Sequence, residues 1–533
     1  MSPTRRDFIR TTAAAAAGVA AYGPGALDLA AQALPAPAPA PDTAAIDLAN
    51  LALDAARRAG ATYADVRIGR YRRQAIATRE RQVTGVSDNE SYGLGIRTLI
   101  DGSWGFAATS TMTSEGVQRA AADAAGMSRA ARIVRRHRVE LAPAAPVTGT
   151  WMTPVTRDPI DVPLEEKIAL LLAANESALK VPTVRFASSS VSLLREVKTL
   201  LTSEGTNVTQ TMIRVGPTFQ ATAIGSNGEF QVYEHEIAPR GSGWEYIESL
   251  DMKTNAERWA ALAAEKVTAR SVDAGQYDLI LDPTNLWLTI HESIGHSTEL
   301  DRAIGEEANY AGTSFVAPPE KMLGKLTFGP TFMNIRADRT QEGSLARVAW
   351  DDEGVPADDF LVVEKGLFKD YQTTREQVAR IQKLTGVSRS HGCSFAESWN
   401  RVQFQRMPNI SLMPGERDLT LDDIVAATER GIVVKNRGSW SIDHQRFNFQ
   451  FSGQTFYEVR GGKIVGMLKD VAYQSSTPIF WNSMDMIGGP SSYWMGGSFS
   501  DGKGEPSQVS SVSHGCVPSR FKNVTILNTR RTS

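Results

Sequence analysis

Residues 277–300 read YDLILDPTNLWLTIHESIGHSTEL, and this stretch decides how the second half of the chain is organised. Its first five residues predict a β-strand. The segment 286–300 predicts a helix, and it carries His291, Glu292 and His296 within six residues. Imidazole nitrogens bind zinc readily, and a glutamate beside the metal can take a proton from its water. The stretch therefore predicts a strand followed by a helix with a metal site and its own general base.

The spacing of the two histidines differs from that of the familiar zinc-protease helix. Histidines four residues apart lie about 40° from each other around an α-helix, whereas a five-residue spacing leaves about 140° between them. His291 and His296 can therefore face one ion only where the helix is locally widened, as in a π-type bulge. Gly295 tolerates such a distortion because it has no Cβ. The alternative is a helix with two unrelated histidines, one exposed and one buried.

The overall composition limits the class of protein. The chain has 533 residues, so two or three domains are expected. Hydrophobic residues make up 42% and charged residues 22%, as in a soluble globular protein. The formal net charge of −2 gives no general attraction for nucleic acid, and no such partner is expected. The two cysteines, Cys393 and Cys516, form no disulfide framework, which leaves each thiol as a possible metal ligand.

The N-terminus predicts export. Residues 4–10, TRRDFIR, resemble the twin-arginine motif, and an alanine-rich run follows over 11–22. That run is too short and too weakly apolar to anchor the chain stably in a membrane. We expect a signal peptide over 1–33, a Pro/Ala linker over 34–44, and a periplasmic or extracellular location.

Helical and strand-like patterns are mixed through the rest of the chain. Helices are predicted over 47–59, 114–131, 161–179 and 255–268, the third of them capped by Asp161. Turns at 101–102, 365–366 and 461–462 predict β-hairpins. Regular βαβ units are absent from the pattern, so we predict an α+β fold. An N-terminal domain of antiparallel strands and helices is expected over 45–270. A mostly β C-terminal domain with the inserted metal-site helix is expected over 271–533.

Several segments together resemble the TldD/PmbA family, on the metal-bearing TldD side. They are 291–296 with Glu299 and Asp301, 342–345, 351–354, 406–409, 447–470, 60–67 and 101–107. The resemblance implies a two-domain zinc metallopeptidase that acts on unfolded peptides, which it grips as extended strands through backbone hydrogen bonds. It also implies a dimer. TldD proteins pair with a metal-free homologue, so we expect a heterodimer with a PmbA-like chain or a homodimer.

The third metal ligand is left open by the sequence. Catalytic zinc sites have three protein ligands, and in TldD proteins the third is a cysteine just before a Gly-Lys pair. Here Asp501 precedes Gly502-Lys503. Asp501 would keep a site for one Zn²⁺ per chain while making Mn²⁺ or Fe²⁺ more credible. Cys516 could substitute if the chain folds back, and a third possibility is that Asp501 is only a turn residue and no protein ligand completes the site.

The expected roles follow from this site. Glu292 would be the general base, and Glu299 would orient His296 from behind. His514 is a candidate for transition-state stabilisation or a simple loop residue, and His391 and Cys393 are read as loop residues. The alternative function is a catalytically inactive, peptide-binding subunit. A serine hydrolase is disfavoured because the sequence has no Gly-x-Ser-x-Gly elbow.

Overall fold

The structure is a computed structural model that describes residues 42–530. The predicted signal peptide and most of the predicted linker lie outside these residues. The linker ends earlier than expected, because the first helix begins at Thr43. The Asp42 carboxylate caps this helix by accepting a hydrogen bond from the N–H of Ala45 at 3.2 Å. Within residues 42–530 no helix is long and apolar enough to span a membrane.

A seven-stranded sheet organises the first half of the chain. Its strands are β1 (Tyr63–Arg79), β2 (Gln82–Ile100), β3 (Ser103–Thr109), β4 (Thr148–Met152), β5 (Val184–Thr202), β6 (Asn207–Ile224) and β7 (Phe230–His235). The order is β3-β2-β1-β5-β6-β4, with β7 also paired to β6. Only the β4–β6 pairing is parallel. The predicted turn at Asp101-Gly102 joins β2 to β3, and both residues have positive φ, as the tight two-residue hairpin turns require.

Helices pack on this sheet through faces that carry mainly small apolar side chains. They are α1 (Thr43–Arg58), α2 (Ser114–Ala131), α3 (Leu164–Ala178), α4 (Trp244–Ser249) and α5 (Met252–Thr268). Alanines of α1 and α2 pack with Val66, Ile68 and Leu94 of the sheet in one core, while α3 and α5 enclose a second core. The predicted cap of α3 is wrong. This helix begins after Pro163 without a side-chain cap, and Asp161 instead lies 3.4 Å from Nη1 of Arg195.

A second large sheet organises the C-terminal half. Its strands are β8 (Arg270–Ser271), β9 (Gly275–Leu281), β16 (Arg430–Ile442), β17 (Asn448–Arg460), β18 (Lys463–Lys469), β19 (Val471–Ser476), β20 (Met484–Ile487) and β23 (Ser519–Asn528). The order is β16-β9-β23-β19-β17-β18-β8, with β20 beside β23. Since β16 also pairs with β17, five of the strands close into a ring around an aromatic core. The predicted hairpin turn at Gly461-Gly462 is confirmed.

Smaller elements complete this half. The strands are β10 (Ile335–Asp338), β11 (Asp359–Glu364), β12 (Leu367–Phe368), β13 (Ser394–Phe395), β14 (Phe404–Gln405), β15 (Asn409–Leu412), β21 (Trp494–Lys503) and β22 (Gln508–Cys516). The helices are α6 (Pro283–Ile290), α7 (Leu300–Ala303), α8 (Pro319–Met322), α9 (Arg375–Thr385), α10 (Leu421–Ala426) and α11 (Thr477–Asn482). The predicted α+β class is confirmed. Helix α6 follows β9 directly and packs against the β21–β22 hairpin, which brings two distant segments together.

Candidate metal centre

The metal-site helix changes its winding at the first histidine. Helix α6 starts regularly, with the Asp282 carboxylate accepting from the N–H of Thr284 at 3.0 Å. Residues His291–Gly295 then form a π-helical turn, and His296–Thr298 form a 3₁₀ turn. The wider turn absorbs the extra residue, so the two imidazole rings lie on the same side of the helix, edge to face, with centroids 4.6 Å apart. The local widening that the five-residue spacing requires is present.

Asp501 reaches the two histidines from the β21–β22 hairpin. Its Oδ1 lies 3.5 Å from Nε2 of His291 and 3.5 Å from Nε2 of His296. A bulge between Ser498 and Asp501 puts one extra residue into β21 opposite β22, which changes where the following side chains point. The other oxygen, Oδ2, accepts from Nη2 of Arg406 at 2.6 Å. The carboxylate is thereby oriented with one oxygen toward the histidines.

Arg406 also keeps Asp501 ionised. Burial alone would raise the pKa of the Asp501 carboxyl, but Arg406 and the two histidines outweigh burial and hold this pKa well below its usual value. A carboxylate rather than a neutral acid therefore faces the two imidazole nitrogens.

A third histidine fixes the tautomer of His291. Nδ1 of His514 lies 2.8 Å from the carbonyl oxygen of Ile410, which can only accept, so this nitrogen carries the proton. Burial and the neighbouring His291 hold the pKa of His514 well below its usual value, so the ring is neutral. Its Nε2 is then an acceptor, and Nδ1 of His291, 2.8 Å away, donates to it. Nε2 of His291 is left to face Asp501, whose negative charge outweighs burial and raises the pKa of the ring. A metal at this point would bind Nε2 in its deprotonated form.

Glu299 orients His296 from behind, as predicted, just as His514 orients His291. Its Oε2 accepts from Nδ1 of His296 at 3.0 Å and from Nε of Arg302 at 2.5 Å. Nζ of Lys503 lies 3.2 Å from Oε1. Burial would raise the pKa of Glu299, but Lys503 and Arg302 outweigh it and hold the pKa well below its usual value. An ionised carboxylate therefore orients His296 with Nε2 toward the same point.

The distances from Asp501 to the two imidazoles match the dimensions of a zinc site. With bonds of about 2.0–2.2 Å, the ligand atoms of a tetrahedral zinc ion lie about 3.4 Å from one another. Oδ1 of Asp501 is 3.5 Å from both nitrogens. All three side chains are buried, which suits a shielded ion. Two neutral imidazoles and one carboxylate are also a donor set that zinc accepts, so the residues present fit this metal.

Carboxylates and cations alternate around the centre, namely Glu292, Glu299, Asp301 and Asp501 with Arg302, Arg406, Arg446 and Lys503. A divalent cation bound here would add positive charge among them, and a bound cation favours hydroxide over water.

Glu292 lies beside His291 and His296. One potential ligand atom each of His291, Glu292 and His296 lie within 4.8 Å of one another. Oε2 of Glu292 accepts from Nη1 of Arg446 at 2.9 Å. Among residues 42–530 no other group donates to this carboxylate, so Oε1 is available to accept a proton from water.

Cys516 is not brought to the cluster. It follows His514 by two residues on β22, so it lies on the same face of the strand about 7 Å farther along. There its Sγ is 3.5 Å from the carbonyl oxygen of Pro283, at the opposite end of α6. Burial raises the pKa of this thiol well above its usual value, which keeps it protonated and unsuited to a metal. The geometry favours Asp501 as the third ligand.

Three other sequence candidates also lie away from the reacting side. The ring of His514 is behind His291, so it does not reach a substrate, and a direct role in transition-state stabilisation does not fit. His391 is held by Asp358 and Asp370 at 2.8 and 3.0 Å and stacks on Phe360. Cys393 is buried next to it and bonds the His391 carbonyl. Both belong to an internal loop, as expected.

Sequence reasoning assigned no role to the four cations of the centre, Arg302, Arg406, Arg446 and Lys503. Arg406 does lie in a segment that carries the family resemblance, and Lys503 belongs to the Gly-Lys pair that follows Asp501, so those motifs were a usable signal. Arg446 had no signal, because a single arginine in a hairpin turn is usually a solvated charge.

Fold and centre together define an α+β protein with a buried His-Glu-His cluster of the kind that can hold a metal ion. Residues 64–128 match PmbA/TldA metallopeptidase domain 1, residues 157–271 match the central domain, and residues 274–526 match the C-terminal domain. The three matches jointly cover most of the chain and contain every residue of the centre. The chain belongs to the TldD/PmbA family.

Named relatives agree with this assignment. A protein of Methanothermobacter thermautotrophicus named metalloprotease is 26% identical over 80% of this chain and 88% of its own length. A metalloprotease of Synechocystis is 28% identical over 76% of this chain and 85% of its own length. A zinc metalloprotease TldD homolog of Saccharolobus solfataricus is 29% identical over 44% of this chain and 49% of its own length.

Solved structures show the same fold. A Thermotoga maritima protein described as a candidate modulator of a DNA gyrase has a TM-score of 0.70 at 16% identity, covering 90% of this chain and all of its own. TldE from Thermococcus kodakarensis has a TM-score of 0.66 at 16% identity, covering 90% of this chain and 99% of its own. At this identity the likeness concerns the fold alone.

Proposed function

We propose that the chain is a zinc-dependent metallopeptidase that hydrolyses peptide bonds of unfolded peptides or protein fragments. The observation that carries the proposal is the convergence of Nε2 of His291, Nε2 of His296 and Oδ1 of Asp501 beside Glu292, at distances that suit one zinc ion. The metalloprotease names of the relatives support the same chemistry.

Each residue of the centre has a part in the proposed reaction. When bound, zinc supplies a Lewis acid that polarises the scissile carbonyl and lowers the pKa of water. Oε1 of Glu292 accepts a proton from the attacking water and later delivers it to the leaving amine. His514 and Glu299 orient both Nε2 atoms toward the centre, and Arg406 orients Asp501. This chain differs from the TldD pattern in using Asp501 where a cysteine is usual, and both side chains supply one negative charge.

Features beside Asp501 support an extended peptide as the substrate. Among residues 42–530, strand β21 pairs only with β22, so its other edge can receive a further strand through backbone hydrogen bonds. Two cavities of about 260 and 290 Å³ both border Phe499 and Ser500 on this strand. Ser500 directly precedes Asp501, so a peptide along this edge would run toward the metal centre.

The proposal extends to location and assembly. Residues 4–10 support export by the twin-arginine route and a periplasmic or extracellular site of action. The family resemblance supports a dimer, either of two copies or with a metal-free PmbA-like homologue.

The substitution Glu292→Gln tests the proposal. It should leave one zinc per chain, measured by elemental analysis, and abolish hydrolysis of an unfolded casein fragment or a fluorogenic peptide. Gln keeps the size and the contact with Arg446 but cannot take the proton. Undiminished hydrolysis by this variant would show that Glu292 is not the general base. A wild-type chain that holds no transition metal after reconstitution would instead favour the inactive, peptide-binding subunit.

A further inference from the structure

One cation of the centre, Arg446, has N–H groups that are not fully used in hydrogen bonds. Arg446 donates from Nη1 to Oε2 of Glu292 at 2.9 Å, and its Nη2 makes only a long contact of 3.4 Å with the carbonyl oxygen of Ala311. Its Nε is buried and has no partner among the residues that the structure describes. A guanidinium carries five N–H groups. Arg446 therefore has donors left for a further anion.

The two other arginines of the centre make more hydrogen bonds, although Nη1 of Arg406 also lacks a partner among residues 42–530. Arg302 donates to Glu299 and to the carbonyl of Ala311 and touches His296, while Arg406 donates to Ser510 and twice to Asp501. Their side chains are each 1% exposed, whereas that of Arg446 is 15% exposed. Arg446 is therefore the arginine of this centre that a substrate can reach.

The loop around Arg446 holds the side chain in place. Arg446 has a φ of 63°, in the left-handed region that residues with a Cβ seldom adopt. The Asp443 carboxylate accepts from the N–H groups of Phe447 and Asn448 at 2.8 and 2.9 Å. Oγ1 of Thr477 donates to the Arg446 carbonyl at 2.7 Å. Strained conformations that are fixed in this way cluster at functional sites.

Building on the proposed peptidase function, we infer that Arg446 is a second catalytic residue, which binds the oxyanion of the tetrahedral intermediate. When the water oxygen bonds to the scissile carbonyl carbon, the π electron pair of that carbonyl moves to its oxygen. The proton released by the water passes to Glu292. The negative charge beside Arg446 thus moves from the Glu292 carboxylate to the substrate oxygen. The N–H groups of Arg446 that lack a strong partner then donate to that oxygen. A fixed donor of this kind stabilises the transition state more than the substrate.

Steady-state kinetics make the first test, with Arg446→Gln, Arg446→Lys and the control Arg195→Gln. Arg195 is also a partly exposed arginine, 2.9 Å from Asp158, but lies in the N-terminal sheet. Loss of one oxyanion donor lowers kcat about 10²–10³-fold. We expect this loss for Arg446→Gln with KM and zinc content unchanged, a smaller loss for Arg446→Lys, and none for Arg195→Gln. Equal kcat in Arg446→Gln and wild type would overturn the inference.

Inhibitor binding separates oxyanion binding from mere positioning of Glu292. The probe is a phosphinic peptide, whose anionic oxygens mimic the intermediate, titrated calorimetrically into zinc-loaded Glu292→Gln. Adding Arg446→Gln to this variant should weaken binding about 10–100-fold, since a hydrogen bond to a charged group is lost. If Arg446 only held Glu292, the second substitution would change nothing, and the inference would fall. A wild-type chain that binds no zinc and hydrolyses no peptide overturns the proposed function instead.

Discussion

At the scale of single residues, Asp501 is the proposed third ligand and would therefore influence which metal the centre prefers. Asp501→Ala removes the third ligand and should leave less than one zinc per chain after dialysis. Asp501→Cys supplies a thiolate in place of the carboxylate and should retain zinc, with a stronger preference for zinc over manganese because thiolate is the softer ligand. Cys516→Ser is the matched control, since its sulfur lies at the far end of α6. Competitive metal titration measures all three, and zinc loss in Cys516→Ser rather than Asp501→Ala would reverse the ligand assignment.

His514 would act on the proposed metal site through its hydrogen bond with His291. His514→Phe keeps a ring next to Trp287 but removes the acceptor for Nδ1 of His291. We expect zinc affinity to fall about 10–100-fold, as is usual when such a supporting hydrogen bond is lost. His514→Gln offers a carbonyl acceptor and should recover part of the affinity. Chelator competition gives the affinities, and nitrogen NMR shifts of the imidazoles report the tautomer. An unchanged tautomer and affinity in His514→Phe would contradict this role.

At the scale of the element, the π-helical turn depends on the missing side chain of Gly295. A Cβ built at Gly295 comes within 2.5 Å of Sδ of Met407, a residue that is only 1% exposed. Gly295→Ala should therefore destabilise the fold by about 1–3 kcal/mol, the usual cost of overpacking. It should also weaken zinc binding, because the turn sets the distance between His291 and His296. Thermal unfolding and zinc titration measure the two effects.

A compensating substitution distinguishes crowding from a loss of backbone freedom. Met407→Ala removes the clashing atoms, so Gly295→Ala/Met407→Ala should bind zinc more tightly than Gly295→Ala alone. A double variant that binds no better would mean that the alanine disturbs the turn itself. In the intact turn, Nε2 of Gln372 donates to the Gly295 carbonyl at 2.6 Å, and loss of this hydrogen bond would report such a disturbance.

At the scale of the molecule, the local patterns were predictable and the long-range pairings were not. The five-residue histidine spacing requires a widened turn, and turn residues at 101–102 and 461–462 mark hairpins, so these features follow from neighbouring residues. The choice between Asp501 and Cys516 depends on how β22 lies against α6, more than 200 residues earlier. The same holds for Arg446 and His514, which meet the centre only through tertiary packing. The family resemblance supplied part of this long-range information, which periodicity does not contain.

The contact between the N-terminal sheet and the C-terminal half is built from buried charges. Nζ of Lys198, on β5, lies 3.1 Å from Oδ2 of Asp352, and Nη1 of Arg67, on β1, lies 4.0 Å from it. The N–H of Ala396 donates to the same oxygen at 2.6 Å. Burial would raise the pKa of Asp352, but Lys198 and Arg67 outweigh it and hold the pKa below the usual 3.8. The family segment 351–354 thus joins the two halves of the molecule.

Asp352→Asn should therefore weaken the whole fold rather than the metal centre. It leaves Lys198 buried without its counter-charge, and breaking a buried pair costs about 3–5 kcal/mol of unfolding free energy. Because the folded pKa of Asp352 is depressed, its contribution is complete above pH 3.8 and is lost as the pH falls through the folded value. Asp54→Asn is the control, since its pair with Arg57 is more than half exposed and should contribute under about 1 kcal/mol. Urea unfolding of the three proteins at pH 7 and near pH 3 measures this. A stability difference between wild type and Asp352→Asn that does not shrink in acid would show that the contact between the halves does not depend on this charge.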